Sequence, residues 1–215
     1  MNPMKAYIFD LDGTLFESMD VWQKVDVAFF KKRNINRPDD YVKAVLVMDF
    51  DTAATYTKAT FNLPETPTQI KQEWLTLAAD AYANDVQLKP YAKEYLLHLK
   101  SQGHKLAVAT SLPEELMQPT LHKHEIYHIF DAICTATEVG CGKNKPDVFL
   151  LAAKKLNVSP KDCLLYDDIL AAVVSAKSIG MKVCGVYDKH SRHNWEEIKQ
   201  QADQTIHCFS EIYTP

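Results

Sequence analysis

The chain has 215 residues, 47% hydrophobic and 24% charged, with a formal net charge of −4 at pH 7. That composition is ordinary for a soluble globular protein, and the length suits one large domain or a domain carrying an insertion. The weakly acidic balance argues against nucleic acid or an anionic membrane as partner, and no apolar stretch is long enough to span a bilayer.

Residues Lys5 to Phe9 lead with the strand formers Tyr7, Ile8 and Phe9 into two carboxylates, Asp10 and Asp12, and then Gly13. The run reads as a strand buried on both faces of a parallel sheet, with its acids where such sheets bind ligands. Like charges about 4 Å apart at an effective dielectric of about 20 repel by roughly 4 kcal/mol, so a shared proton or a cation must offset them. A hard divalent metal with oxygen ligands suits that need.

The period then changes to helical. Met19, Trp22, Val25, Val27, Phe29 and Phe30 predict a first helix capped by Ser18 or Asp20. Asp39 or Asp40 caps a second through Met48, Asp51 a third through Phe61, and a fourth runs from Thr68 to about Asn84, with Ile70, Trp74, Leu77 and Tyr82 on one face. With no strand signal from 17 to about 87, this is an all-helical insertion.

Beyond Lys89 helices and strands alternate. Helices are expected over 91–101, 113–124, 146–156, 169–179 and 191–201, and strands over 105–110, 132–135, 163–166, 182–186 and 205–208. The pattern is α/β, a parallel sheet flanked by helices. Five cysteines form no C-x-x-C pair, and Cys134, Cys163 and Cys184 sit in apolar runs. Reduced core thiols and the absence of a signal-length apolar N-terminus give a cytoplasmic protein as the expectation.

Asp10-x-Asp12-Gly13-Thr14 at the end of a hydrophobic strand resembles the first motif of the haloacid dehalogenase superfamily, mostly phosphate-transferring hydrolases. Thr110-Ser111 after Leu106–Ala109 matches the second motif, where a hydroxyl and backbone N–H groups hold phosphoryl oxygens. Gly142-Lys143-Asn144-Lys145-Pro146-Asp147 resembles the third, with Asn144 in place of its first proline. Spacing puts Lys143 at the catalytic lysine, with Lys145 the competing candidate. Asp167-Asp168 after Leu164-Leu165-Tyr166 resembles the fourth motif, its register fixed by Ile179-Gly180-Met181, with Ala172 replacing the usual glycine.

The resemblance implies a Rossmann-like core over 1–16 and 88–215 and a helical cap over 17–87. It implies Asp10 as nucleophile, Asp12 as general acid/base, Thr110, Ser111 and Lys143 on the phosphate, and Mg²⁺ held by Asp10, Asp12 (through its carbonyl) and Asp168, with Asp167 in support. The reaction expected is hydrolysis of a small phosphorylated metabolite through an aspartyl-phosphate, by a monomer or weak homodimer. Asp12 argues against dehalogenases, which lack an acid there. The nearest rival is a phosphomutase of the β-phosphoglucomutase type. Such mutases commonly carry a cap histidine where this chain has Trp22. A non-catalytic binding module is the alternative of another class. Trp22, Trp74 and Tyr82 read as cap core, His122, His124 and His128 as solvated or core-edge residues, and Lys31-Lys32-Arg33 with Arg37 as a helix end whose cations suit the dipole.

Overall fold

The computed structural model describes residues 4–213, so the outermost residues of the expected core, 1–3 and 214–215, lie outside the described residues. Six parallel strands form one sheet in the order β3-β2-β1-β4-β5-β6, comprising β1 (Ala6–Phe9), β2 (Lys105–Thr110), β3 (Ala132–Thr135), β4 (Cys163–Asp167), β5 (Lys182–Val186) and β6 (Gln204–Ile206). Strand order reverses at β1, which pairs with β2 on one side and β4 on the other; Phe9 faces Val108 and Tyr166. Three polar strand ends therefore lie side by side at the crevice where open sheets take their ligands.

The alternation along β1 sorts its side chains between two layers. Ala6 and Ile8 join a cluster with Phe149, Ala152 and Val173, whereas Phe9 stacks on Tyr166 at 4.8 Å in the other. These partners come from α8 (Asp147–Leu156) and α9 (Leu170–Ser178) on the first face. Helices α5 (Ala92–Ser101) and α6 (Glu114–Lys123) cover the second; α7 (Ala136–Val139) and α10 (Trp195–Gln201) complete the set after the first four.

Those four are α1 (Met19–Lys32), α2 (Asp39–Val45), α3 (Phe50–Phe61) and α4 (Pro67–Asn84), and their apolar faces run continuously into the Phe9 layer. The two chain crossings into this unit pair with each other, Glu17 N–H to Gln87 O at 2.9 Å and Lys89 N–H to Leu15 O at 2.8 Å. Thr66 and Gln69 close a reciprocal capping box at the start of α4, with Pro67 in its first turn. The cap of α3 is Asp49 rather than Asp51: its carboxylate accepts from the Asp51 and Thr52 N–H groups. α2 begins at Asp39 behind Pro38, which puts Asp40 inside the first turn; the Asp39 side chain is outside what is described.

Other expectations shift for packing reasons. Val27 and Leu77 are 57% and 40% exposed, because each falls off the stripe set by Val25–Phe29 and Trp74–Ala78. Arg33 does stand at the end of α1, but it does more than suit the dipole: its guanidinium lies 3.7 Å over the Phe29 ring and reaches Glu65 and Glu73 at 2.7 Å each, tying α1 to α4. The helix expected from Ser191 starts only at Trp195, after a 3₁₀ turn at Arg192–Asn194, and β6 ends at Ile206 instead of Cys208. All five cysteines are free. Among the described residues no helix is long and apolar enough to cross a membrane.

Candidate active site

Asp10 continues the β1 ladder, its N–H donating to Tyr166 O at 3.0 Å, and its side chain is buried. The chain then folds tightly back: the N–H groups of Thr14, Leu15 and Phe16 all converge on Leu11 O within 3.1 Å. Gly13 sits in this turn at φ +74°, and a Cβ there would lie 2.6 Å from Asp168 Oδ2. Backbone and space thus both require glycine, and the space is kept for a carboxylate.

The end of β4 delivers Asp167 and Asp168 beside Asp10. One carboxylate oxygen from each of the three lies within 4.8 Å of the others, and all three side chains are buried. Lys143 Nζ enters from the loop after α7, 2.5 Å from Asp10 Oδ1 and 2.8 Å from Asp167 Oδ2. Lys145, two positions on, is exposed. The position that brings an ammonium to the acids is therefore 143. Gly142 makes this approach possible, since a Cβ there would collide with the Val47 carbonyl of the segment after α2.

Three carboxylates share one ammonium, and two of them, Asp167 and Asp168, hold protons more tightly than usual. Burial, then the charges of Asp167 and Asp10, push the Asp168 carboxyl well above its ordinary range; burial does the same to Asp167, opposed by Lys143. For Lys143 burial works toward loss of the proton, but the Asp10 and Asp167 charges outweigh it and raise its pKa. Asp168 accepts from Ser191 Oγ at 3.1 Å and from Thr14 Oγ1 at 3.4 Å. Buried, oxygen-rich and short of positive charge, the cluster fits a hard divalent cation.

Asp12 does not join that cluster. Its Oδ1 accepts from the Ser18 and Tyr82 hydroxyls, both at 2.6 Å, and its Oδ2 from the Trp22 indole N–H at 3.0 Å. Burial, eased by these bonds and reinforced by the Asp10 charge, lifts its carboxyl to about 6. Trp22 and Tyr82 are thus hydrogen-bonding partners of the acid and not merely packing residues. Trp74 is buried as expected, against Phe29 and Phe50. Thr110, buried at the end of β2, accepts from Leu112 N–H at 3.1 Å, and with Ser111 it lines the same cavity as Asp10, Lys143 and Asp168.

Sequence reasoning missed Ser18, Trp22, Tyr82 and Ser191. Ser18 and Trp22 are four apart at the start of α1, a spacing that puts them on one helix face toward Asp12. Tyr82 and Ser191 arrive through tertiary folding, and nothing local marks them.

The chain belongs to the haloacid dehalogenase-like hydrolases, whose family model matches residues 4–180. It is 31% identical over 197 residues to β-phosphoglucomutase of Bacillus subtilis, covering 85% of this chain and 83% of that one. A bifunctional riboflavin kinase/FMN phosphatase of Arabidopsis thaliana is 29% identical over 95% of this chain; the chain spans 53% of that relative's length. In fold it is similar to CbbY of Rhodobacter sphaeroides, solved in complex with phosphate, with a TM-score of 0.83, 23% identity, and coverage of 97% of this chain and 96% of that one.

Proposed function

We propose that the protein is a Mg²⁺-dependent phosphatase acting on a small phosphorylated metabolite in the cytoplasm through an aspartyl-phosphate, with residues 17–87 as a cap over a core of 1–16 and 88–215. The observation that carries this reading is the meeting of Asp10, Asp167, Asp168 and Lys143 at one cavity, beside a separately held carboxyl, Asp12. Relatives named as phosphatases, including a hexitol phosphatase of Escherichia coli, add to it.

In this mechanism an Asp10 carboxylate oxygen attacks phosphorus as the ester P–O bond breaks. Asp12, in its acid form, gives its proton to the departing alkoxide oxygen. Water then attacks the phosphorus of the aspartyl-phosphate, Asp12 takes the proton from that water, and phosphate leaves with Asp10 restored. Lys143 stabilises charge on Asp10 and the phosphoryl oxygens, and Thr110 and Ser111 orient those oxygens. Asp10, Asp168 and the Asp12 carbonyl would hold Mg²⁺, with Asp167 in support; the ion would supply positive charge that lowers repulsion between nucleophile and phosphate. The helical cap would exclude water and select the leaving group.

A phosphomutase is the second reading, favoured by the identity with β-phosphoglucomutase. Against it stands Trp22: an indole N–H can donate to Asp12 but, unlike a histidine, cannot accept a proton. Inorganic phosphate release from a panel of phosphate monoesters with Mg²⁺, wild type beside Asp10→Asn, tests the phosphatase. Turnover lost in Asp10→Asn supports it. Formation of glucose 6-phosphate from β-glucose 1-phosphate with a trace of bisphosphate would favour the mutase.

A further inference from the structure

The cavity above Asp10 has a volume of about 290 Å³ and a two-part chemistry. Its floor is polar, built from the acids, Lys143 and the Thr110-Ser111 turn. Its walls are not. Trp22, Phe50 and Trp74 form one continuous aromatic surface, with ring centroids 5.9 Å apart for the first pair and 5.4 Å for the second. Val42, Leu46 and Met48 line the cavity with them. The wall begins at the reaction centre, because the indole of Trp22 also donates to Asp12.

Gln23, Lys43, His190 and His193 also reach this largely apolar lining, and one ion pair is built into it. Asp26 on α1 and Arg37 before α2 face the cavity and are joined by a 2.6 Å bond from Arg37 Nη1 to Asp26 Oδ2. Among the described residues no other acceptor takes the remaining guanidinium N–H groups, and Asp26 Oδ1 is likewise uncommitted. The pair therefore offers a donor and an acceptor in fixed positions on a largely apolar surface.

A polyhydroxylated leaving group fits this chamber poorly. Each hydroxyl turned toward Phe50, Leu46 or Met48 would lose its water without gaining a partner. A flat ring would instead bury its faces against the aromatic wall and gain from the ring–ring contacts. The volume sits at the small end of ligand sites, enough for one compact ring system and a short linker.

We propose that the ester cleaved at Asp10 carries a compact heteroaromatic leaving group, its ring against Trp22, Phe50 and Trp74 and its polar edge at Asp26 and Arg37, in preference to a sugar. This rests on the phosphatase reading above and narrows its substrate class.

The test is steady-state phosphate release with Mg²⁺ from pyridoxal 5′-phosphate and pyridoxamine 5′-phosphate against ribose 5-phosphate and glucose 6-phosphate. The ring-bearing esters should lead in kcat/KM by about tenfold or more, a free-energy difference of about 1.4 kcal/mol. Phe50→Ser and Arg37→Met should each raise KM for the ring-bearing esters by about tenfold while moving kcat less than about twofold, a split that general misfolding would not produce. Equal or faster turnover of the sugar phosphates overturns the substrate class and leaves the phosphatase standing. No turnover of any ester by folded, Mg²⁺-supplied protein overturns both.

Discussion

The Tyr82 hydroxyl donates to Asp12 Oδ1 at 2.6 Å across a separation of 70 positions, so the last turn of α4 holds a carboxyl that emerges from β1. Ser18 and Trp22 hold the same group from α1. Asp12 is thereby fixed entirely by residues of the helical unit and its entry, while Asp10 is fixed by the sheet. The packing of the helices against the sheet and the position of the Asp12 carboxyl therefore depend on each other.

Removing the tyrosine hydroxyl tests that coupling. Tyr82→Phe deletes a bond that lowers the Asp12 pKa, so the carboxyl should titrate above its present value of about 6. We expect kcat to fall about tenfold, in line with a lost hydrogen bond to a charged group of about 1.5 kcal/mol. The limb of the kcat–pH profile assigned to Asp12 should move upward. Unchanged kcat and an unmoved profile would separate Tyr82 from the proton transfer.

The two lysines of the third motif should differ sharply. Lys143→Met leaves the buried Asp10 and Asp167 without their ammonium and should lower kcat by roughly 100- to 1,000-fold. Lys145→Met, on an exposed side chain, should change it less than about twofold. Comparable losses in the two variants would contradict the placement of the cation at 143.

Gly13 serves both the turn and the acid cluster, so replacing it should damage more than stability. Gly13→Ala forces an L side chain to φ +74° and its Cβ to 2.6 Å from Asp168 Oδ2. Gly180→Ala meets nothing within 4 Å at a similar φ of +80°, and should cost only the backbone strain, about 1–2 kcal/mol. Thermal unfolding with and without Mg²⁺ distinguishes them. The ion should raise the midpoint of Gly180→Ala as in wild type and leave that of Gly13→Ala nearly unmoved.

The raised carboxyls of Asp12, Asp167 and Asp168 make the metal-free fold sensitive to pH in a defined direction. Between the ordinary carboxylate range and their folded values, the native state keeps protons that the unfolded chain has released. Their contribution is full below about pH 4 and is lost as pH rises through about 6 and beyond. Chelator-treated Asp12→Asn should therefore gain on wild type by on the order of 1 kcal/mol between pH 4 and 7, followed by urea unfolding. Added Mg²⁺ should stabilise wild type more at about pH 7.5 than at about pH 5, because binding displaces protons.

Much of this architecture was legible because its signals are local. The apolar run into Asp10 and the later strands ending in Thr110 and Asp167 announced a parallel sheet, and the structure pairs them as neighbours of β1. The family resemblance grouped Asp168 and Lys143 with Asp10, and the structure brings the three side chains together. What escaped were side chains whose partners are distant. Ser18 reads as a helix cap by its position and type, yet its hydroxyl is spent on Asp12. Arg33 reads as a helix-end cation, yet Glu65 and Glu73 draw it inward. Asp51 reads as a cap for α3, yet the helix starts two residues earlier and Asp49 caps it, accepting from the Asp51 and Thr52 N–H groups. Ser18 and Arg33 are drawn to partners outside their own helix, which composition and period do not encode, whereas the α3 boundary was missed by a local shift.

The nucleophilic role of Asp10 underlies every functional statement above, and chemical trapping addresses it directly. Enzyme quenched in acid during turnover of p-nitrophenyl phosphate with Mg²⁺, then reduced with borohydride, should yield homoserine in place of Asp10 in the tryptic peptide spanning residues 6–24. Peptide mass spectrometry reads the site. Homoserine at position 10 alone, absent when substrate is omitted, is the expected result; phosphate release with no reduction at position 10, or with reduction at Asp12 or Asp168 instead, would contradict it.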